Sequence, residues 1–184
     1  FASGAFTAIM GPSGSGKSTL ARALIGAWRV GGGSIRLGGA TLDQYHPDVL
    51  GGLIGYLPQQ VTLFDGTIAE NIARLSPDMD PARVVRAAQA AAAHQMILDL
   101  PQGYDTPLSQ AGGRLSGGQI QRVGLARALY GDPVLFVGNS RNQFRRVIRD
   151  AIAEGIEPAI YGTRWRGLVP DRLIRGENIP NVQL

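Results

Sequence analysis

GPSGSGKST, residues 11–19, holds the single lysine of the chain and fits G-x-x-x-x-G-K-[ST], with Gly11, Gly16, Lys17 and Ser18 at the fixed positions. A loop that wraps a triphosphate must turn successive backbone N–H groups inward, and glycine allows both the dihedrals and the close approach. Lys17 then reaches the β- and γ-phosphates as a point charge, and the Ser18 hydroxyl ligates Mg²⁺. A helix opening near Gly16 aims its positive dipole end at the same phosphates. The plainer alternative is a glycine-rich turn before an amphipathic helix. The flanks decide against it: Phe6 to Met10 reads as a short apolar strand and Ser18 to Trp28 as a helix, the context the motif requires. The expected phosphate contacts are Gly11, Ser13, Gly14, Ser15, Gly16, Lys17, Ser18 and Thr19.

About a hundred residues further on, the chain reads LSGGQ at 115–119. Ser116, Gly117 and Gly118 at a helix N-terminus make a second anion cradle, a hydroxyl and N–H groups facing outward. By itself this is also how an ordinary serine-capped helix begins. Beside a phosphate loop it reads as a second wall of a nucleotide site.

Between these strings the chain opens α/β, turns helical, and closes α/β. SIRLGG (34–39) reads as a short hairpin strand and LIGYLPQ (53–59) as a buried strand ending at Gln59. Thr67 and Glu70 form a capping box that starts one helix. Asp80 and Pro81 start a second, carried by the alanine-rich run to Leu98. Ser116 starts a third, 117–130, closed by Gly131 and Pro133. VLFV (134–137) has the continuous apolar composition of a buried parallel strand.

Composition narrows the classes. With 184 residues the chain supports one core, or one core and a small lobe. It has no cysteine, which excludes disulfides and cysteine zinc sites. No apolar run approaches a membrane span, and the N-terminus carries no basic region followed by a hydrophobic block. The net charge of +4 is concentrated in the tail. Residues 1–137 carry ten basic and nine acidic side chains, whereas 138–184 carry eight arginines and five acids. A nucleic-acid partner is therefore not expected.

GPSGSGKST, YLPQQ (56–60), FDGTIAENIA (64–73), LSGGQ and QRVGLARALYGDP (121–133) resemble, in order and spacing, the nucleotide-binding domain of ABC transporters over residues 1–137. Within that family they are most similar to the ATPase half of type I secretion exporters, which move proteases and lipases out of Gram-negative bacteria. The resemblance implies an α/β P-loop NTPase fold: a RecA-like core from residues 1–64 and 131–184, and a helical subdomain, 65–130, carrying the signature. All of it would form one ABC-type domain, 1–184, partial or degenerate at its C-terminal end. It implies ATP and Mg²⁺ as cofactors, with Ser18 and Gln59 at the metal. Gln59 matches the glutamine that also faces the attacking water. Ser116, Gly117, Gly118 and Gln119 would contact the ATP of a second copy, in a homo- or heterodimer paired head to tail. The further implied partner is the transmembrane domain of an exporter, at the cytoplasmic face of a bacterial inner membrane. Tyr104 to Gly113 and Arg114 match, by position, the region facing that domain. The adenine-stacking aromatic of the family would precede Phe1.

After Val137 the resemblance fails. Where the family has an Asp-Glu pair that holds the Mg²⁺ shell and polarises water, this chain has Asn139 and Ser140. Asn139 brings no charge, and Ser140 is a poor base. The S-x-L-D pattern is absent from Gln143 to Arg146, and Thr163 of AIYGTR stands where the family has its switch histidine. The two histidines, His46 and His94, lie well upstream and read as surface or helix-face residues. Three accounts follow: a working exporter ATPase whose tail is read in a shifted frame or truncated, a genuine ATP-binding partner that hydrolyses poorly, or an inactive fragment. For the chain as written the expectation is binding without useful turnover. An ABC-type ATPase acting on nucleic acid and a stand-alone P-loop kinase are the readings from other classes. The short span between motifs speaks against the first, LSGGQ and FDGTIAENI against the second.

Overall fold

A computed structural model of the chain describes residues 12, 14–108 and 115–138. The expected first strand, Phe6 to Met10, and everything after Gly138 lie outside them. Helix α1, Lys17–Leu24, follows the glycine loop. It stops four residues short of Trp28, because Gly26 takes a positive φ of 77° and Ala27 and Trp28 both donate to the Arg22 carbonyl. Strands β1 (Arg36–Leu37) and β2 (Ala40–Thr41) form the hairpin expected at 34–39. Its two-residue turn, Gly38–Gly39, has φ of 58° and 91°, which glycine adopts without a Cβ clash.

Helix α2 (Pro47–Leu53) feeds directly into strand β3 (Ile54–Leu57). Strand β6 (Leu135–Gly138) pairs with β3 in parallel, Ile54 opposite Leu135 and Leu57 opposite Gly138. The parallel pairing agrees with the reading of VLFV, although Leu135, Phe136 and Val137 are half-buried rather than fully covered. Helix α1 lies close to β6. The phosphate loop therefore stands beside the two strands whose carboxyl ends carry Gln59 and Gly138, the edge where open α/β sheets bind ligands.

The remaining helices form a second layer. Strands β4 (Gly66–Thr67) and β5 (Pro107–Leu108) pair antiparallel around it. Helix α3, Ile68–Ile72, starts at the expected box: Thr67 Oγ1 accepts from Glu70 N at 3.1 Å and Glu70 Oε2 from Thr67 N at 2.6 Å. The single helix expected from Pro81 to Leu98 is two, α4 (Pro81–Ala90) and α5 (His94–Leu98). Helix propensity runs on through the alanines, but packing overrides it. Ala92 turns to φ 49°, and Ala91, Ala92 and Ala93 are all fully buried, their small side chains admitting Arg122 Nη1 to the Ala92 carbonyl at 3.2 Å. Helix α6, Gly117–Leu129, spans the layer and packs against α3, α4 and β3. One hydrophobic cluster continues from Leu57 through Ile68, Ile72, Val84 and Ile97 to Val123 and Leu125.

Asn71 is the polar member of this core, with no exposed surface. Its amide is fully used: Oδ1 accepts from Phe64 N at 2.8 Å, and Nδ2 donates to Phe64 O and Thr67 O, both at 2.9 Å. Asn71→Ala strands those backbone groups and is expected to cost about 3 kcal/mol, read as a fall in the urea midpoint at constant m.

Candidate functional site

Gly14 and Gly16 carry φ of 82° and 85°, and a Cβ built on either would meet nothing within 4 Å among the described residues. The glycines are thus required by backbone conformation, and they leave open space in front of the loop. Gly16 is the N-cap of α1 and supplies no side-chain bond, and the first turn holds no acidic residue. An exposed helix start with neither cap nor carboxylate is built for an anion from outside. Ser15, Ser18 and Thr19 are exposed beside it, with their hydroxyls at the loop and first turn. Lys17 Nζ donates to the Pro12 carbonyl at 2.6 Å and to Ser15 Oγ at 3.1 Å, so the ammonium already lies across the loop a phosphate would fill. These features fit a polyphosphate with its Mg²⁺. Gly11 and Ser13 lie outside the described residues.

Gln59 stands exposed on the bend after β3, two residues beyond the Leu57–Gly138 pair. Asn139 and Ser140, as well as residues 109–114 of the stretch matched to the transmembrane contact, are outside the described part.

The signature residues come together at the start of α6. Ser116 Oγ accepts from Gln119 N at 3.3 Å, while Gln119 Oε1 accepts from Ser116 N at 2.7 Å. Gln119 is therefore turned back onto Ser116, closing a capping box at the start of α6. Gly117 and Gly118 are exposed, and among the described residues nothing stands where a Cβ would, which leaves the cradle room for an anion. His94 and His46 carry structural contacts: His94 Nδ1 and Tyr104 Oη are 2.8 Å apart, and His46 lies 3.4 Å from Asp48 on the surface. Burial pushes the Tyr104 hydroxyl up to about 12.

Sequence reasoning misses a pair of arginines between the two layers. Burial, and then the charge of Arg127, lowers the pKa of Arg74, and burial lowers that of Arg127. Neither pairs with a carboxylate among the described residues. Arg127 lies over the Phe64 ring at 5.2 Å, and its Nη1 is buried without a hydrogen-bond partner. Gly124, on the same helix, lets Val61 approach so closely that a Cβ would lie 2.5 Å from its methyl carbon.

The sequence profile of the ABC transporter family matches residues 1–137. The chain is 50% identical over 167 residues to the type I secretion system ATP-binding protein PrsD of Rhizobium meliloti (strain 1021), covering 89% of this chain and 28% of that one. It is 47% identical over 135 residues to the mycobactin import ATP-binding/permease protein IrtA of Mycolicibacterium smegmatis, covering 73% and 16%. Among solved structures it is similar to a bacterial Atm1-family ABC exporter with ATP bound, at TM-score 0.69 and 35% identity, over 83% of this chain and 28% of that chain. The chain thus spans less than a third of the length of these relatives. No helix among the described residues is long and apolar enough to cross a membrane.

Proposed function

This chain belongs to the ABC transporter family, and we propose that it is the ATP-binding domain of an exporter of the type I secretion kind, working at the cytoplasmic face of a bacterial inner membrane. The open, uncapped glycine loop with Lys17 laid across it carries the reading. Gly11, Ser13, Gly14, Ser15, Gly16, Lys17, Ser18 and Thr19 would hold the phosphates, and Ser18 with Gln59 would hold Mg²⁺. The metal neutralises phosphate charge and orients the phosphoryl group. Two copies, alike or different, would pair head to tail, so that Ser116, Gly117, Gly118 and Gln119 of one close over the nucleotide of the other. Gln119 in this reading also holds Ser116 in place. The helical layer, 65–130, would form the signature subdomain on a core from 1–64 and 131–184. The names of the relatives, ATP-binding/permease among them, support a transmembrane domain as the further partner. The identity to a secretion ATPase favours export as the direction.

Of the accounts of the tail, a genuine one is favoured. The match to the secretion ATPase takes in 89% of the chain and so continues past residue 137, where the family profile ends. The chain then binds MgATP but turns it over slowly, because Asn139 and Ser140 stand where the family has carboxylates. Loss of a catalytic base lowers rates by about 10²–10⁴. Steady-state phosphate release from the purified chain should be near background, and Asn139→Asp combined with Ser140→Glu should raise it by about 10² or more. An unchanged rate in the double variant, or family-level turnover in the parent, would reject this account.

A further inference from the structure

Arg74 follows the last turn of α3, and its side chain crosses to the far ends of two other helices. Nε donates to the Arg127 carbonyl at 3.0 Å, and Nη2 to the carbonyls of Ala128 at 3.2 Å and Tyr130 at 2.9 Å. Nη1 donates to the Gly51 carbonyl in α2. The first three acceptors are the orphan carbonyls that end α6, where a helix carries partial negative charge. Gly131, at φ 88°, turns the chain out of α6. The carbonyls left at that end are met in addition by a side chain from 53 to 56 residues away.

The backbone is distorted to deliver it. Arg74 has φ 60° and Leu75 φ 58°, two successive non-glycine residues in the left-handed region. Each such residue costs about 1–2 kcal/mol, and two in a row persist only where the surroundings impose them. The bonds of the guanidinium supply that reason. They join the end of α3 to the end of α6 and to α2, which leads without a break into β3 and so to Gln59.

We propose that Arg74 is a positioning residue that locks the C-terminal end of α6 to α2 and thereby sets where the Ser116 end of α6 stands relative to the Gln59 edge. Helix α6 is about 20 Å long at 1.5 Å per residue, so a small swing at the locked end displaces the signature cradle appreciably. Arg127 adds to the lock by lying on Phe64, but its Nη1 makes no bond among the described residues, whereas every nitrogen of the Arg74 guanidinium does. This rests on the reading of Ser116–Gly118 as a nucleotide cradle. The test needs no nucleotide, so failure of that reading and failure of the lock are distinguishable.

The chain has no cysteine, so spin labels go cleanly at Asp48→Cys on α2 and Gly118→Cys at the Ser116 end of α6, both exposed. The distance between them is measured by pulsed electron resonance in the full chain, after circular dichroism has shown each variant folded. With Arg74 present a single narrow distribution is expected. Arg74→Met keeps the aliphatic stem and removes the donors, and it should broaden the distribution and move its centre. Arg74→Lys, with one donor group, should fall between. A loss of stability alone would not move the distance well below the melting temperature. A folded Arg74→Met with the parent distribution overturns the proposal. If Arg74→Met does not fold, Arg74→Lys decides by the same criterion.

Discussion

Lys17→Ala removes ATP binding and leaves the melting temperature almost unchanged. The lysine is the one cation at the loop in the described structure, and a charge-assisted bond to phosphate contributes about 3 kcal/mol, or roughly two orders of magnitude in Kd. Its present bonds, to Pro12 O and Ser15 Oγ, are made in an exposed loop, where their net contribution to stability is about 1 kcal/mol at most. The two effects therefore separate. Titration with a fluorescent ATP analogue should show affinity lost, and a thermal melt should show the fold kept. Equal affinity in parent and variant would mean that the nucleotide is held elsewhere.

Gly55→Ala is expected to be the most damaging single methyl that can be added to the described core. A Cβ on Gly55 would stand 2.2 Å from the Ala128 carbonyl oxygen and 2.9 Å from Pro133 Cγ. Neither neighbour is the end of a flexible chain. The backbone of α6 must shift, which pulls on the same carbonyl that Arg74 holds. Overpacking of this kind costs about 3 kcal/mol or more. Gly52→Ala is the control: it lies in α2 with nothing within 4 Å, and alanine there should be neutral or stabilise by about 0.5–1 kcal/mol. A denaturation midpoint that falls for Gly55→Ala and holds for Gly52→Ala ties the loss to the strand–helix crossing. Equal midpoints would show that β3 and α6 can part without penalty.

The two cradles were legible because their chemistry is written in residue types. Glycines at Gly14 and Gly16 are needed for their dihedrals, and Ser116 reads as the cap of the helix that follows it. Thr67 with Glu70 reads equally well, for the same reason. What could not be read depends on contacts between distant parts of the chain. The break at Ala91–Ala93 goes against local propensity and exists because buried alanines let another helix approach. Arg74 is harder still: its acceptors are backbone carbonyls, which every residue possesses, so no pairing of residue types announces it. The reading of Gln119 as a nucleotide contact falls between these cases. Its position in the signature was clear, and its use as the closing half of a cap appeared only with the side chains in place.

The starts of the two cradle helices differ in one respect. Helix α6 begins with Ser116 and Gln119 bonded to one another, a terminus complete before anything binds. Helix α1 begins at Gly16, which has no side chain to offer. A phosphate arriving there would do for α1 what Ser116 does for α6. It would be a cap brought in from solution, meeting first-turn N–H groups that α1 leaves open. Part of the affinity for nucleotide is therefore spent on finishing a helix, and amide exchange in that turn would report occupancy of the site.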